Sequence, residues 1–95
     1  MFLGRYRFAG DPTELVAAYD RMMSGLDRAT LDLHICVVEP NGLLVLDACP
    51  TEEVFRTFSA SPEFRGLCRR AGLPEPAIEH LGTVHEALLR QEVRG

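Results

Sequence analysis

The stretch that decides the fold is LDLHICVVEPNGLLVLDACP, residues 31–50, in which two apolar runs flank a single Asn-Gly dipeptide. Asn-Gly between alternating apolar residues is typical of a two-residue β-hairpin turn. The sequence therefore predicts two antiparallel strands joined at Asn41-Gly42. A loop of those two residues fixes the register, and the expected cross-strand pairs are Pro40 with Leu43, Val38 with Val45, Cys36 with Asp47, and His34 with Cys49.

The two faces of this hairpin differ in chemistry, because successive side chains of a strand point to opposite sides. One face is aliphatic and carries Leu33, Ile35, Val37, Leu44, Leu46 and Ala48. The other face carries the polar and reactive side chains with two valines, namely His34, Cys36, Val38, Val45, Asp47 and Cys49. We expect the aliphatic face to pack against helices and the second face to be left without a helix.

The segments around the hairpin complete a β-α-β-β-α-β order. Before the hairpin, the sequence predicts a strand over residues 2–8 and a helix that begins after the N-cap Asp11 and ends at Ser24-Gly25. After the hairpin, it predicts a helix from Thr51 to Ala71, interrupted at Ser61-Pro62, and a strand over residues 77–86. This order predicts an α+β, ferredoxin-like fold. Right-handed connections place both helices on one face of a four-stranded antiparallel sheet.

Composition limits the function. The 95 residues predict a single domain over 1–95, and 46% apolar with 25% charged residues is ordinary for a soluble protein. No apolar run approaches the ~20 residues of a membrane span, so a cytoplasmic location is expected. The net charge of −4, with no basic run, argues against nucleic-acid binding. All ten cationic residues are arginine, which excludes lysine Schiff-base chemistry and a P-loop lysine.

The helix-free face predicts both a partner and a cavity. Apolar side chains on an uncovered sheet face are commonly buried by another molecule. A second copy of the chain, packed sheet to sheet, gives a homodimer with a lined space between the sheets. If Phe2, Tyr6 and Phe8 pack on the helices, Arg5 and Arg7 enter this space, and one of them could pair with Asp47.

The candidate site residues lie on that face. His34 is the candidate general base, Asp47 its electrostatic partner, and Arg5 or Arg7 would hold an oxyanion. Cys36, Cys49, Val38 and Val45 are the other candidate ligand-binding residues. A Cys49 thiol activated by His34 is an alternative. His80 and His85 have opposite strand parity, so only one of them can share the cavity.

Metal and disulfide chemistry are disfavoured at the same positions. Diagonal neighbours across a hairpin lie about 7–8 Å apart, too far for one tetrahedral ion or for a bond between Cys36 and Cys49. The sequence indicates no cofactor. Three functions stay open: a small-molecule-binding protein, a cofactor-independent monooxygenase- or cyclase-like enzyme, and a structural dimerisation module.

Three segments carry a family resemblance: FAGDPTELVAAYDRM (8–22), GLLVLDACPTEEVFRTF (42–58) and GLPEPAIEHLGTVHEAL (72–88). With them, the chain resembles small actinobacterial members of the dimeric α/β-barrel superfamily, similar to antibiotic-biosynthesis-monooxygenase-like domains. The resemblance implies a homodimer whose sheets form a barrel, with a pocket between sheet and helices. Some relatives oxidise aromatic polyketides without a cofactor, others degrade haem or cyclise polyketides. This chain has no tryptophan, which the haem-degrading members and many monooxygenase-type members carry.

Overall fold

The structure, a computed structural model, describes residues 1–90. Its elements are β1 (Phe2–Ala9), α1 (Pro12–Ser24), a short 3₁₀ helix (Arg28–Thr30), β2 (Leu33–Glu39), β3 (Gly42–Cys49), α2 (Glu52–Ala60), α3 (Pro62–Ala71) and β4 (Ala77–Thr83). The strands form one antiparallel sheet in the order β2-β3-β1-β4. The predicted α+β, ferredoxin-like fold is confirmed, and the 3₁₀ helix is an additional element that the sequence analysis does not predict.

Local capping sets the helix boundaries where the sequence predicts them. The Asp11 side chain accepts a hydrogen bond from the Glu14 amide at 3.1 Å, and Pro12 opens α1. Ser61 ends α2 and caps α3 by accepting from the Phe64 amide at 3.1 Å. The predicted second helix is therefore two helices. Gly72 ends α3 in the left-handed conformation, at φ 94°, which glycine adopts at no steric cost.

The hairpin turn lies one residue earlier than predicted. Glu39 faces Gly42, so the loop is Pro40-Asn41 and the four expected cross-strand pairs are wrong. A type I′ turn at Asn41-Gly42 needs positive φ at both residues, and neither has it. Pro40 has no amide proton for the ladder and a fixed φ that suits the first loop position. Gly42 begins β3 instead, where any Cβ would overlap the Phe8 carbonyl oxygen.

The assignment of the hairpin faces was inverted. In β1, Phe2, Tyr6 and Phe8 face the helices as predicted, with 7%, 1% and 1% of their surface exposed. The sheet register brings three β3 residues beside these aromatic residues on the same face, since Phe2 faces Cys49, Tyr6 faces Val45 and Phe8 faces Leu43. The side chains that were expected on the helix-free face therefore share the helix-covered face, namely His34, Cys36, Val38, Val45, Asp47 and Cys49.

The physical reason is the size of the apolar surface on the central strand β1. Burying three aromatic rings contributes more than burying the aliphatic side chains of the hairpin's other face. Because β3 pairs with β1 along its whole length, its odd-numbered residues follow the rings beneath the helices. The aliphatic face is left without a helix, and Ile35 and Val37 there are 39% and 40% exposed.

The last strand is shorter than the predicted 77–86. A register irregularity opposite Leu3 and Gly4 interrupts the pairing of β1 with β4, and β4 ends at Thr83. Gly82 has φ 153° at this bulge, a conformation that favours glycine. His80 lies on the helix-covered face with its ring edge-on to Phe55, whereas His85 follows the strand and is exposed.

Over residues 1–90, none of the helices has the length and apolar character that crossing a bilayer requires.

Candidate functional site

Three side chains form a hydrogen-bonded relay under α1: Tyr19, His34 and Asp47. The Tyr19 hydroxyl lies 2.5 Å from Nε2 of His34, and Nδ1 of the same ring contacts Oδ1 of Asp47. A carboxylate only accepts hydrogen bonds, so the proton of the neutral ring belongs on Nδ1. Nε2 then accepts from the Tyr19 hydroxyl. The sequence prediction that His34 and Asp47 lie close together is confirmed, although on the opposite face.

Regular structure positions each member of this relay. His34 and Asp47 are direct cross-strand partners on β2 and β3. Tyr19 projects from α1, and its ring stacks on the His34 ring with an angle of 12° between the planes. Asp47 faces Gly4 on β1, and the ring of Phe55 fills the space where a side chain at Gly4 would lie. Strand pairing and a helix fix the relay, since no loop contributes to it.

Asp47 is the most deeply buried member of the relay, and Tyr19 and His34 are half-buried. The Asp47 side chain is 4% exposed and that of His34 is 18% exposed. Burial, with smaller contributions from Cys36 and Asp47, raises the pKa of Tyr19 to about 12. Tyr19 is therefore a neutral phenol at physiological pH. A buried carboxylate that orients an imidazole, which in turn accepts from a hydroxyl, has the connectivity of an acid–base catalytic triad.

The predicted arginine partners are not part of this site. Arg5 and Arg7 lie on the helix-free face, as predicted, but their predicted pairing with Asp47 is wrong. Arg5 pairs with Glu79 of β4, and Arg7 pairs with Glu39 of β2 at 3.3 Å. The sheet separates both guanidinium groups from the relay, so neither can hold an oxyanion at His34.

The cysteines and valines from the predicted set have other surroundings. Cys36 is half-buried beside Tyr19, and Cys49 is 1% exposed against Phe2 rather than beside His34. Burial raises the pKa of both thiols, which disfavours a thiolate nucleophile. Val45 is core, and Val38 is 60% exposed near the hairpin end. Ligand binding by these four residues stays a prediction.

Two cavities lie on the helical side of the molecule, away from the relay. The first, about 250 Å³, lies between α3, the loop 72–76 and β4. The second is an open groove of about 630 Å³ between residues 25–27 and the α2–α3 junction. Neither is lined by a residue of the predicted site. Within residues 1–90, no three His, Cys, Asp or Glu side chains meet as a potential metal site.

Two tyrosines are functional candidates that the sequence prediction missed. Tyr19 packs against the hydrophobic core from α1, and only its contact with His34 distinguishes it from its apolar neighbours. Tyr6 is 1% exposed, and its hydroxyl has no hydrogen-bond partner within the described residues. Burial, with Asp47, Cys49 and Cys68 nearby, raises the pKa of Tyr6 far above that of free tyrosine. The alternating pattern of β1 predicts its burial but says nothing about its hydroxyl.

Comparison with solved structures gives the same fold. SnoaB, a cofactor-independent oxygenase from Streptomyces nogalater, superposes with a TM-score of 0.58 over 95% of both chains at 22% identity. A candidate antibiotic biosynthesis monooxygenase from Deinococcus radiodurans superposes with a TM-score of 0.55 over all of both chains at 12% identity. The chain has the fold of these proteins. No family model and no curated protein matches its sequence.

Proposed function

We propose that this chain is a cofactor-independent oxygenase acting on an aromatic substrate with an acidic proton. The observation that carries the proposal is the His34 ring held between the Asp47 carboxylate and the Tyr19 hydroxyl. Two structural neighbours described as oxygenase or monooxygenase enzymes lend support. Oxygenation without a cofactor needs a base, because the substrate must become an electron-rich anion before it can reduce dioxygen.

The relay would remove the substrate proton in one coupled transfer. The substrate proton moves to the Tyr19 oxygen as the Tyr19 proton moves to Nε2 of His34. Tyr19 is neutral before and after the transfer, in agreement with its raised pKa. The imidazolium that forms is stabilised by the Asp47 carboxylate on Nδ1. The substrate anion then takes up dioxygen to form a peroxide, to which His34 returns its proton through Tyr19. Loss of water from the hydroperoxide leaves one oxygen atom as the product carbonyl, and the water carries both hydrogens of the original methylene.

Anthrone oxidation tests this function, because its acidic methylene lies between two aromatic rings. In air-saturated buffer with a chelator and no added cofactor, the protein should accelerate conversion of anthrone and dioxygen to anthraquinone and water. His34→Gln should lower the accelerated rate by about 10²-fold or more, the usual contribution of a general base. The measurements are anthraquinone absorbance and dioxygen consumption.

The matched control is His85→Gln, which makes the same substitution at an exposed histidine outside the relay. Its rate should equal that of the wild type. Wild-type protein that oxidises anthrone no faster than buffer, or His34→Gln protein with an undiminished rate, would contradict the proposal. Anthrone binding without turnover would instead favour a non-catalytic binding protein.

We also propose that the chain forms a homodimer through the helix-free sheet face. The argument is the exposed aliphatic surface around Ile35 and Val37, which a monomer leaves in water. Both arginines on this face are paired within the chain. Two copies can therefore approach without repulsion between unpaired like charges, and a self-complementary apolar face suits two-fold symmetry.

Val37→Glu tests the dimer, because it places a charge in the middle of the proposed interface. Sedimentation velocity should give a dimer for the wild type and a monomer for Val37→Glu. The control is Val38→Glu, on the same strand but pointing to the other face and 60% exposed, which should remain dimeric. A monomeric wild type, or a dimeric Val37→Glu, would contradict the proposal.

A further inference from the structure

The cavity between α3 and β4 has the composition of a small-molecule pocket. Its volume of about 250 Å³ is near the lower end for ligand sites and suits one or two aromatic rings rather than a large ligand. Six of the ten lining residues are apolar: Phe64 and Cys68 from α3, Leu73, Pro74 and Pro76 from the loop, and Ile78 from β4. Polar and apolar atoms contribute about equally to the exposed wall, which suits a ligand with both an apolar part and a polar group.

The charged groups on the wall favour an anion. Arg65 and Arg69 line the cavity with a single carboxylate, Glu75, so the wall carries one net positive charge in a chain of net charge −4. Glu75 contacts Arg65 at 3.3 Å. Among residues 1–90, the Arg69 side chain has no carboxylate within ion-pair distance. Its guanidinium is available for a charged ligand group.

Two backbone carbonyls at the end of α3, at or next to this wall, are already hydrogen-bonded. At the end of α3, the Cys68 carbonyl accepts from the Leu73 amide at 3.0 Å, and the Ala71 carbonyl accepts from Arg21 of α1 at 2.9 Å. A carboxylate ligand needs hydrogen-bond donors rather than acceptors, and the side chains of Arg65 and Arg69 supply them on this wall. The bond between Arg21 and Ala71 also joins α1 to α3, which favours a cavity formed before the ligand arrives.

We infer that this cavity binds a small aromatic carboxylate, with its ring between Phe64 and Ile78 and its carboxylate on Arg69. The site is separate from the Tyr19–His34–Asp47 relay and does not depend on the proposed oxygenase activity. Phe64 is the inner wall, since its ring packs 5.2 Å from that of Tyr6 in the core and does not move freely.

The test is an NMR titration of the ¹⁵N-labelled full chain with 2-naphthoate and, in parallel, with its neutral methyl ester. Shift changes should concentrate at the amides of Phe64, Cys68, Leu73 and Ile78. The carboxylate should bind about tenfold more tightly than the ester, and Arg69→Gln should remove that difference, as expected for one charge-assisted contact near the surface. Arg69 is exposed, so this variant should fold normally.

Two controls separate this proposal from its alternatives. Arg70→Gln removes the same charge from the next residue, which lines the other groove, and should bind 2-naphthoate as the wild type does. Tyr19→Phe should also leave binding unchanged, even if it abolishes anthrone oxidation. Equal binding of acid and ester, unchanged binding by Arg69→Gln, shift changes centred on the relay, or no shift changes at millimolar 2-naphthoate would each overturn the inference.

Discussion

Replacing Gly4 by alanine should destabilise the fold severely, by about 3 kcal/mol or more in the free energy of unfolding. A Cβ at this position would overlap the ring of Phe55, which packs from α2 directly onto the β1 backbone and is fully buried. The ring has little room to shift, since it also packs on Phe2 and Tyr6 with centroid distances of 5.9 and 5.6 Å. Urea denaturation followed by circular dichroism measures the loss.

A second substitution identifies the cause. Phe55→Ala alone should cost about 3–5 kcal/mol through the cavity it creates. Added to Gly4→Ala, it should cost much less than the sum, because the new Cβ then occupies part of the vacated space. The control is Gly66→Ala in α3, where the Cβ meets only the end of the Arg70 side chain at 3.1 Å. Alanine is the better helix former, so Gly66→Ala should not destabilise. A stable Gly4→Ala protein would contradict the packing described here.

Predictions that depend on local chemistry agreed with the structure. Asp11, Thr51 and Ser61 cap their helices through side-chain oxygens within three residues of the amides they bind. Such contacts are encoded almost entirely by adjacent residues. The β-α-β-β-α-β order followed from the same signals, and the architecture followed from the order.

The hairpin was predicted less well, because two local signals compete there. Asn41-Gly42 favours a two-residue turn at that dipeptide, whereas Pro40 favours the first position of a turn one residue earlier. The close approach of the Phe8 carbonyl to Gly42 agrees with the second alternative. That contact is between residues far apart in sequence and can be recognised only once β1 lies beside β3.

The choice of the buried face could not be made from the hairpin alone. Within residues 31–50, the aliphatic face is the more hydrophobic, and burying it is the correct local choice. The partner strand β1 reverses this choice, because Phe2, Tyr6 and Phe8 share the face of Asp47. The prediction identified both the aromatic side of β1 and the polar side of the hairpin but not the β1–β3 register that joins them.

The pairing of β2 with β3 explains why part of the candidate site could be predicted from the sequence. His34 and Asp47 were selected as residue types that do chemistry in neighbouring strands, and strand pairing keeps them together on whichever face they lie. Their third partner comes from α1, which covers only one face. Once His34 turns towards α1, the Tyr19 hydroxyl becomes its second hydrogen-bond partner, and Arg5 and Arg7 lie on the other side of the sheet.

The buried His34–Asp47 pair should also show strong energetic coupling. His34→Leu leaves a carboxylate that is 4% exposed without its partner and should cost about 3–5 kcal/mol of unfolding free energy. Asp47→Leu leaves the Nδ1 proton of a half-buried ring unpaired and should cost about 1–3 kcal/mol. The double variant loses both polar groups together, so its cost should fall below the sum by about 1 kcal/mol or more.

An exposed ion pair in the same chain gives the reference value for this double-mutant cycle. Arg56 and Glu52 lie one turn apart on α2 at 2.6 Å, with side chains 58% and 48% exposed. Solvent screens such a pair, and its coupling should be about 0.3–0.5 kcal/mol. If the His34–Asp47 coupling is no larger than this, the carboxylate does not orient the imidazole, and the relay loses the partner that would stabilise its imidazolium. A clearly larger coupling energy would support the assignment of Asp47 as the residue that orients the His34 ring.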